Sequence, residues 1–251
     1  MNEQRRIWPI IVLSLENDDE RRRPLLERLD AMALRYEVFF GVDGRRGLSP
    51  QWQSEIDRGA AKKNVGRPLT DGEFACALSH REIYKRILNE GWGGAIVLED
   101  DAIVGPQFET FVRSEAYRTV TILLLDHSHA RVRGRATELI PGVEMHRLSL
   151  SPSLANAYSI SRTTAHRLAK ANTPVCNVAD WPFDISLLSG AVLVPQIVEH
   201  PDPSLGVSHL RADRQKTASS RRSIEETKPM RFFSIPFLKR WLLKRASRRV
   251  S

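Results

Sequence analysis

Apolar residues along this chain follow two rhythms, short continuous runs and helical spacing, and the two alternate. Ile10 to Leu15 (IIVLSL) is an unbroken apolar run rich in β-branched residues, the pattern of a strand buried on both faces. From Glu20 to Leu34, Leu25, Leu26, Leu29, Met32 and Ala33 recur at helical spacing, with Pro24 read in the first turn. Tyr36 to Phe40 (YEVFF) is a second strand, closed by Gly41 and the turn Asp43-Gly44. Strand, helix, strand opens a βαβ unit and predicts a mostly parallel sheet with helices on its faces.

Leu48 to Val65 is less regular and reads as a short helix and a polar loop. Thr70 followed three residues later by Glu73 fits a capping box, and the helix it opens should run to about Glu90. Gly91 can take the left-handed stop conformation there. Ala95 to Leu98, Thr119 to Leu125 and Ala155 to Ser161 are further strands, and Arg162 to Ala171 is a helix ended by Thr173-Pro174. A loop then carries Asp180-Trp181-Pro182-Phe183-Asp184. Beyond about Arg211 the periodicity fades and Ser, Thr and Arg dominate. The expected organisation is a domain over 1–210, a linker over 211–229 and a tail over 230–251.

Composition changes this picture little: 251 residues with 41% hydrophobic and 27% charged content suit an ordinary globular domain. Cys76 and Cys176 are far apart in the chain, read as outside any metal-ligand spacing, and suit small core residues in a reducing compartment. Ile7 to Leu15 imitates a signal peptide, but Pro9 interrupts it and no small-residue cleavage site follows. No run reaches the roughly 18–20 apolar residues of a membrane span. A cytoplasmic location is expected. Charge changes more. From Arg211 to Ser251 thirteen Lys and Arg face three Asp and Glu, +10, so the whole-chain +8 leaves residues 1–210 at −2.

The stretch Gly93 to Asp101 (GGAIVLEDD) ends an apolar strand in three consecutive carboxylates, and Thr119 to Leu125 likewise ends in Asp126-His127. Solvated, helix-capping acids are the ordinary reading of such a triplet. Here the acids sit at the carboxyl edge of a sheet, where open α/β proteins bind ligands. Strand alternation places Glu99 and Asp101 on one side and Asp100 on the other. Two carboxylates on a rigid element make a partial shell for Mg2+ or Mn2+, completed by water and substrate phosphates. A nucleoside diphosphate-sugar is the ligand such a site would take, because the metal stabilises the leaving diphosphate. Walker and G-x-G-x-x-G motifs are missing from the sequence, so a P-loop NTPase or Rossmann dehydrogenase is unsupported.

Gly72 to His80 (GEFACALSH), followed by Val97 to Asp101 (VLEDD), resembles glycosyltransferase family 25, of the lipooligosaccharide-biosynthesis type. The likeness extends to Val12-Leu13-Ser14-Leu15, Arg21-Arg22-Arg23, Val42-Asp43-Gly44, Ala157 to Ser161 and Val178 to Trp181, over about residues 8 to 190. It implies a GT-A-type α/β fold and inverting transfer of a hexose, commonly galactose from UDP-galactose, to a lipopolysaccharide- or lipooligosaccharide-type glycan. By the same resemblance Ser14, Leu15, Arg22, Asp43, Gly44, Ser79, His80, Glu99 and Asp100 fall in the donor site. Asp101 and Glu99 would hold Mn2+ or Mg2+. Asp180 matches the family's late acid and is the first candidate for the base that deprotonates the acceptor. Asp184 and Asp126 stand in reserve. Family members often carry Asn-Leu-Asp where this chain has Ser14-Leu15-Glu16.

Some of these residues have ordinary readings too. His80 sits on a helix with Phe74, Leu78, Tyr84 and Leu88, where a lone His is more often a core residue. Arg21 to Arg23 would be a solvated helix start, although first-turn cations oppose the helix dipole. Met230 to Ser251 combines seven cations and no acid with Phe237, Leu238, Trp241 and Leu242, a composition suited to an interfacial helix on an anionic leaflet. A disordered cationic tail is the alternative. The expectation is a peripheral protein on the inner face of the cytoplasmic membrane, with no nucleic acid as partner. Two rivals remain: a metal-dependent nuclease with a nucleic-acid-binding tail, and an inactive family relative that scaffolds a membrane assembly.

Overall fold

The computed structural model describes residues 8–201 and 243–250. β1 (Ile10–Ser14), α1 (Asp19–Ala31) and β2 (Tyr36–Phe40) form the expected βαβ unit, the two strands parallel. The short helices α2 (Pro50–Gln53) and α3 (Arg58–Val65) precede α4 (Asp71–Asn89). Next come β3 (Gly94–Glu99), β4 (Ile103–Val104), α5 (Gln107–Arg113) and β5 (Ile122–Leu124). A hairpin, β6 (Ala130–Ile140) and β7 (Val143–Leu150), leads to β8 (Ala157–Ser161) and α6 (Arg162–Ala171). β9 (Ala191–Val194), β10 (Val198–Glu199) and β11 (Arg248–Val250) complete the strands.

The apolar runs are continuous because both faces of the sheet are covered. Ile10 and Val12 of β1, Ile96 and Leu98 of β3, and Leu123 of β5 join a core with Leu25 and Leu29 of α1 and Phe108 and Phe111 of α5. Their alternates Ile11, Leu13, Ala95, Val97, Ile122 and Leu124 point the other way, onto Ile83, Tyr84 and Ile87 of α4 and Leu168 of α6. The capping box forms as read: Thr70 Oγ1 accepts from Glu73 N at 3.2 Å, and Glu73 Oε2 accepts from Thr70 N at 3.0 Å. Gly91 adopts φ +71° just past the helix. Pro24 lies in the second turn of α1 rather than the first, because the helix already begins at Asp19.

Strand direction departs from the expectation of a mostly parallel sheet. The nine strands are ordered β11-β6-β7-β9-β5-β8-β3-β1-β2. Only β1–β2, β1–β3 and β5–β9 pair in parallel. The other five pairings are antiparallel, and the sheet is mixed. Apolar runs report burial of both faces and carry no information on direction. The edge-ward hairpin β6–β7 escaped the sequence reading because β6 (ARVRGRATELI) is charged through its middle and breaks register with β7. One consequence of the expected topology survives. β8 runs antiparallel between β3 and β5, so those two strands point the same way. Glu99 and Asp126 therefore emerge at one sheet edge.

The end of the chain also differs from a wholly separate tail. Arg248–Val250 pairs antiparallel with Val132–Ala130 and extends the sheet. Arg131 reinforces the junction by donating to the Lys244 carbonyl at 2.6 Å. An open sheet edge leaves backbone donors and acceptors unpaired, and a short extended segment within reach can satisfy them. The linker over 211–229 and the amphipathic part of the tail over 230–242 lie outside the described residues.

Candidate active site at the carboxyl edge of the sheet

β3 delivers the acids, but the strand stops at Glu99 and a turn follows, closed by Ala102 N donating to Glu99 O at 3.0 Å. Strand alternation ends with the strand. Asp100 and Asp101 consequently face one guanidinium: Arg21 Nε donates to Asp100 Oδ1 at 2.6 Å, and Arg21 Nη2 to Asp101 Oδ2 at 2.5 Å. Asp100 is buried, and its second oxygen accepts from Ser14 Oγ at 2.8 Å. Glu99 turns away to His80, whose Nε2 lies 3.2 Å from Glu99 Oε1.

The electrostatics follow from this crowding. Asp100 and Asp101 share one arginine, and Glu99 adds a third negative charge nearby. Burial, opposed by Arg21 and reinforced by Glu99 and Asp100, pushes Asp101 up to about 6. Asp100 is raised as well, chiefly by burial. The same acids hold Arg21 firmly protonated despite its own burial. Carboxylate oxygens left short of positive charge are the donors a hard divalent cation takes. Arg21 in the first turn of α1 is the partner that sequence reasoning missed; its unfavourable position against the helix dipole was the available signal.

β8 and the loop after α6 build the wall beside Glu99. Tyr158 hydroxyl lies 2.8 Å from His80 Nδ1 and donates to the Tyr84 hydroxyl at 3.3 Å. Trp181 packs edge-on against Tyr158, centroids 5.5 Å apart, and its Nε1 donates to Pro152 O at 3.1 Å. Asp180, half-buried, thus precedes an anchor that packs on Tyr158, the partner of His80.

Asp126 is fully buried at the end of the β5 segment. Its Oδ2 accepts from Asn156 Nδ2 at 2.9 Å and lies 3.0 Å from His200 Nδ1, while Oδ1 meets no protein partner among the described residues. Burial raises its pKa. The pairing of β10 with β4, Val198 opposite Val104 and Glu199 opposite Ile103, brings His200 beside the acidic turn. Asn156 and His200 are further residues that sequence reasoning missed, since neither stands in a recognisable spacing with the acids.

Other predicted residues are engaged in holding the frame. Arg22 Nη1 donates to Leu15 O at 2.9 Å, Arg22 pairs with Asp19, and its guanidinium lies over the Phe40 ring. Ser79 Oγ donates to Ala75 O at 2.7 Å and accepts from Val42 N at 2.8 Å, fastening the 41–44 loop to α4. A Cβ on Gly44 would lie 2.5 Å from Asp71 O, so only glycine allows the loop to close on the helix. Asp43 binds Arg45, which also reaches Asp18 at 2.7 Å. Asp184 caps a 3-10 turn, its Oδ1 accepting from Ser151 N, Ser151 Oγ and Ser186 N, and is committed to that loop. An open cavity of about 520 Å³ adjoins the loop, lined by Phe40, Asp43, Ser49, Gln51, Trp52 and Glu82.

Fold and site together define an α/β protein with a cluster of carboxylates where β3 ends at one edge of a mixed sheet. Residues 7–184 match the model of "Glycosyltransferase family 25 (LPS biosynthesis protein)", and the chain belongs to that family. It is 36% identical over 112 residues to a "Glycosyltransferase 25 family member" of Anopheles gambiae, covering 43% of this chain and 18% of that protein. It is 29% identical over 107 residues to a "Procollagen galactosyltransferase 1" of Danio rerio, covering 41% and 17% respectively. To the "Lacto-N-neotetraose biosynthesis glycosyltransferase LgtE" of Neisseria meningitidis it is 27% identical over 106 residues, 42% of this chain and 36% of that one. The match spans less than a fifth of the first two relatives' length.

Proposed function

We propose that this chain is a metal-dependent inverting glycosyltransferase that moves a hexose, galactose, from a UDP-sugar to a lipopolysaccharide- or lipooligosaccharide-type glycan. The observation that carries the reading is the set of carboxylates at the end of β3, with Asp100 and Asp101 on the Arg21 guanidinium and Glu99 beside His80. Galactose is favoured by the relatives named galactosyltransferases, and the acceptor class by the family description and the lacto-N-neotetraose relative.

Asp101 and Glu99 would hold Mn2+ or Mg2+, which when bound neutralises the diphosphate as it leaves. Ser14 and Arg21 fix Asp100 and with it the turn that aims Asp101. His80 orients Glu99 and is itself oriented by Tyr158. Asp180 takes the proton of the acceptor hydroxyl from the face opposite the leaving group. It matches the family's late acid and stands next to Trp181, whereas Asp126 is fully buried and Asp184 caps a turn. The cavity beside Asp43 is of a size suited to a nucleoside or sugar ring. Residues 230–242 would tether the enzyme to the inner face of the cytoplasmic membrane. No helix of the described residues is long and apolar enough to cross one.

One observation favours a second reading. Arg21 already bridges Asp100 and Asp101, so its guanidinium could serve as a permanent cation in a metal-free or inactive site. A donor screen by thermal stabilisation separates the two. The proposal expects a UDP-sugar to raise the melting temperature only with Mn2+ present. Equal stabilisation in excess chelator favours the second reading.

A further inference from the structure

Behind the acidic turn lies a set of ligating atoms of different chemistry. Cys76 and His80 stand four residues apart on α4, which places both side chains on one face of the helix. Glu99 meets them from the end of β3. The Cys76 thiol, a His80 ring nitrogen and a Glu99 carboxylate oxygen all lie within 4.8 Å of one another. His80 is buried, while Cys76 and Glu99 are half-buried, so the cluster is backed by protein and open on one side. Cys76 is not in a disulfide.

The arrangement around His80 prepares it as a ligand. The Tyr158 hydroxyl lies 2.8 Å from His80 Nδ1, and Glu99 Oε1 lies 3.2 Å from Nε2, so both ring nitrogens face a polar partner and the ring plane is fixed. An outer partner that fixes tautomer and ring orientation is the usual companion of a metal-bound histidine.

We infer that Cys76, His80 and Glu99 form a three-ligand site for a borderline-soft divalent ion of the zinc class, which shares Glu99 with the Mn2+ or Mg2+ site proposed at Asp101. Sulfur, nitrogen and oxygen in one set match the preference of Zn2+ and not that of Mg2+. Ligand atoms around a tetrahedral Zn2+ lie roughly 3.3–3.6 Å apart, given Zn–N, Zn–O and Zn–S bonds of about 2.0–2.3 Å. The three ligand atoms, within 4.8 Å of one another, would close to that separation on binding the ion. Spacing did signal the site: Cys76 and His80 are a ligand pair at i and i+4, although Cys76 and Cys176 as a pair are not.

The inference does not rest on the transferase reading, because its test reads binding and needs no donor. The full chain, stripped of metal, is titrated with Zn2+ against a chromophoric chelator and separately with Co2+. The expected result is one equivalent bound, with a thiolate-to-cobalt charge-transfer band. Cys76→Ser removes the band and weakens Zn2+ by roughly 10–100-fold or more; Cys176→Ser leaves both unchanged. In the unmutated protein Zn2+ slows alkylation of Cys76, mapped by peptide mass, which covers the case of a variant that does not fold. No zinc bound by the parent chain, undiminished binding in Cys76→Ser, or alkylation of Cys76 unaffected by Zn2+ overturns the inference.

Discussion

At the scale of the residue, Asp101 concentrates the electrostatic tension of the site. Its carboxyl rises from an ordinary 3.8 to about 6, mainly through burial. The folded value lies above the unfolded one, so ionising Asp101 costs stability as pH climbs from about 4 through about 6, and costs nothing below. The full shift corresponds to about 3 kcal/mol, reached above pH 6. Metal-free Asp101→Asn is therefore expected to be more stable than the parent at pH 7.5, by about 1–3 kcal/mol in urea unfolding, and equal to it near pH 4. Equal stability at both values would show that Arg21 already balances the charge. The same substitution should abolish turnover, since it removes a proposed metal ligand. Asp180→Asn should lower kcat by roughly 10²–10⁴ with donor affinity little changed. Unchanged kinetics would pass the role of base to the Asp126–His200 pair.

At the scale of the element, β1, α1, β2, α4, β3 and α6 are legible because each carries a local signal that tertiary packing agrees with. Thr70 and Glu73 announce α4, Gly91 ends it, and the run Ile96 to Leu98 demands cover on both faces. β6 is illegible for the opposite reason. Its middle is charged and exposed, its hairpin with β7 breaks register, and its other partner, β11, is distant in the chain. The candidate site divides the same way. The acids are visible as an anomaly at a strand end, whereas Arg21, His200 and Tyr158 reach the site only through long-range packing. The 41–44 loop provides a direct test of positioning. Gly44→Ala would bring a methyl to 2.5 Å from Asp71 O and 2.7 Å from Ala75 Cβ, forcing the loop off α4. Urea unfolding should show a loss of about 1–3 kcal/mol. A neutral result would mean the loop does not need its seat on the helix.

At the scale of the whole molecule, the charge division into a body at −2 and a terminal region at +10 remains the basis for the proposed membrane contact. The pairing of Arg248–Val250 with β6 changes how that proposal is tested. Truncation near Arg222 would remove an edge strand together with the cations and aromatics, so a loss of vesicle binding could reflect damage to the sheet. Replacing Phe237 and Trp241 by Ser in the full chain avoids this. Binding to anionic vesicles should weaken at any salt concentration while the melting temperature holds, and salt should weaken the parent's binding by screening. Unchanged vesicle binding in the double variant would remove the tether.

The central claim is that the carboxylates at the end of β3 form a metal-dependent sugar-transfer site. Its most direct test is release of hexose from UDP-galactose by the purified full chain, measured with Mn2+ and again in excess EDTA. The account predicts hydrolysis with Mn2+, none in EDTA, and none in Asp101→Asn under either condition. Equal hydrolysis with and without the metal, or full activity in Asp101→Asn, would contradict it.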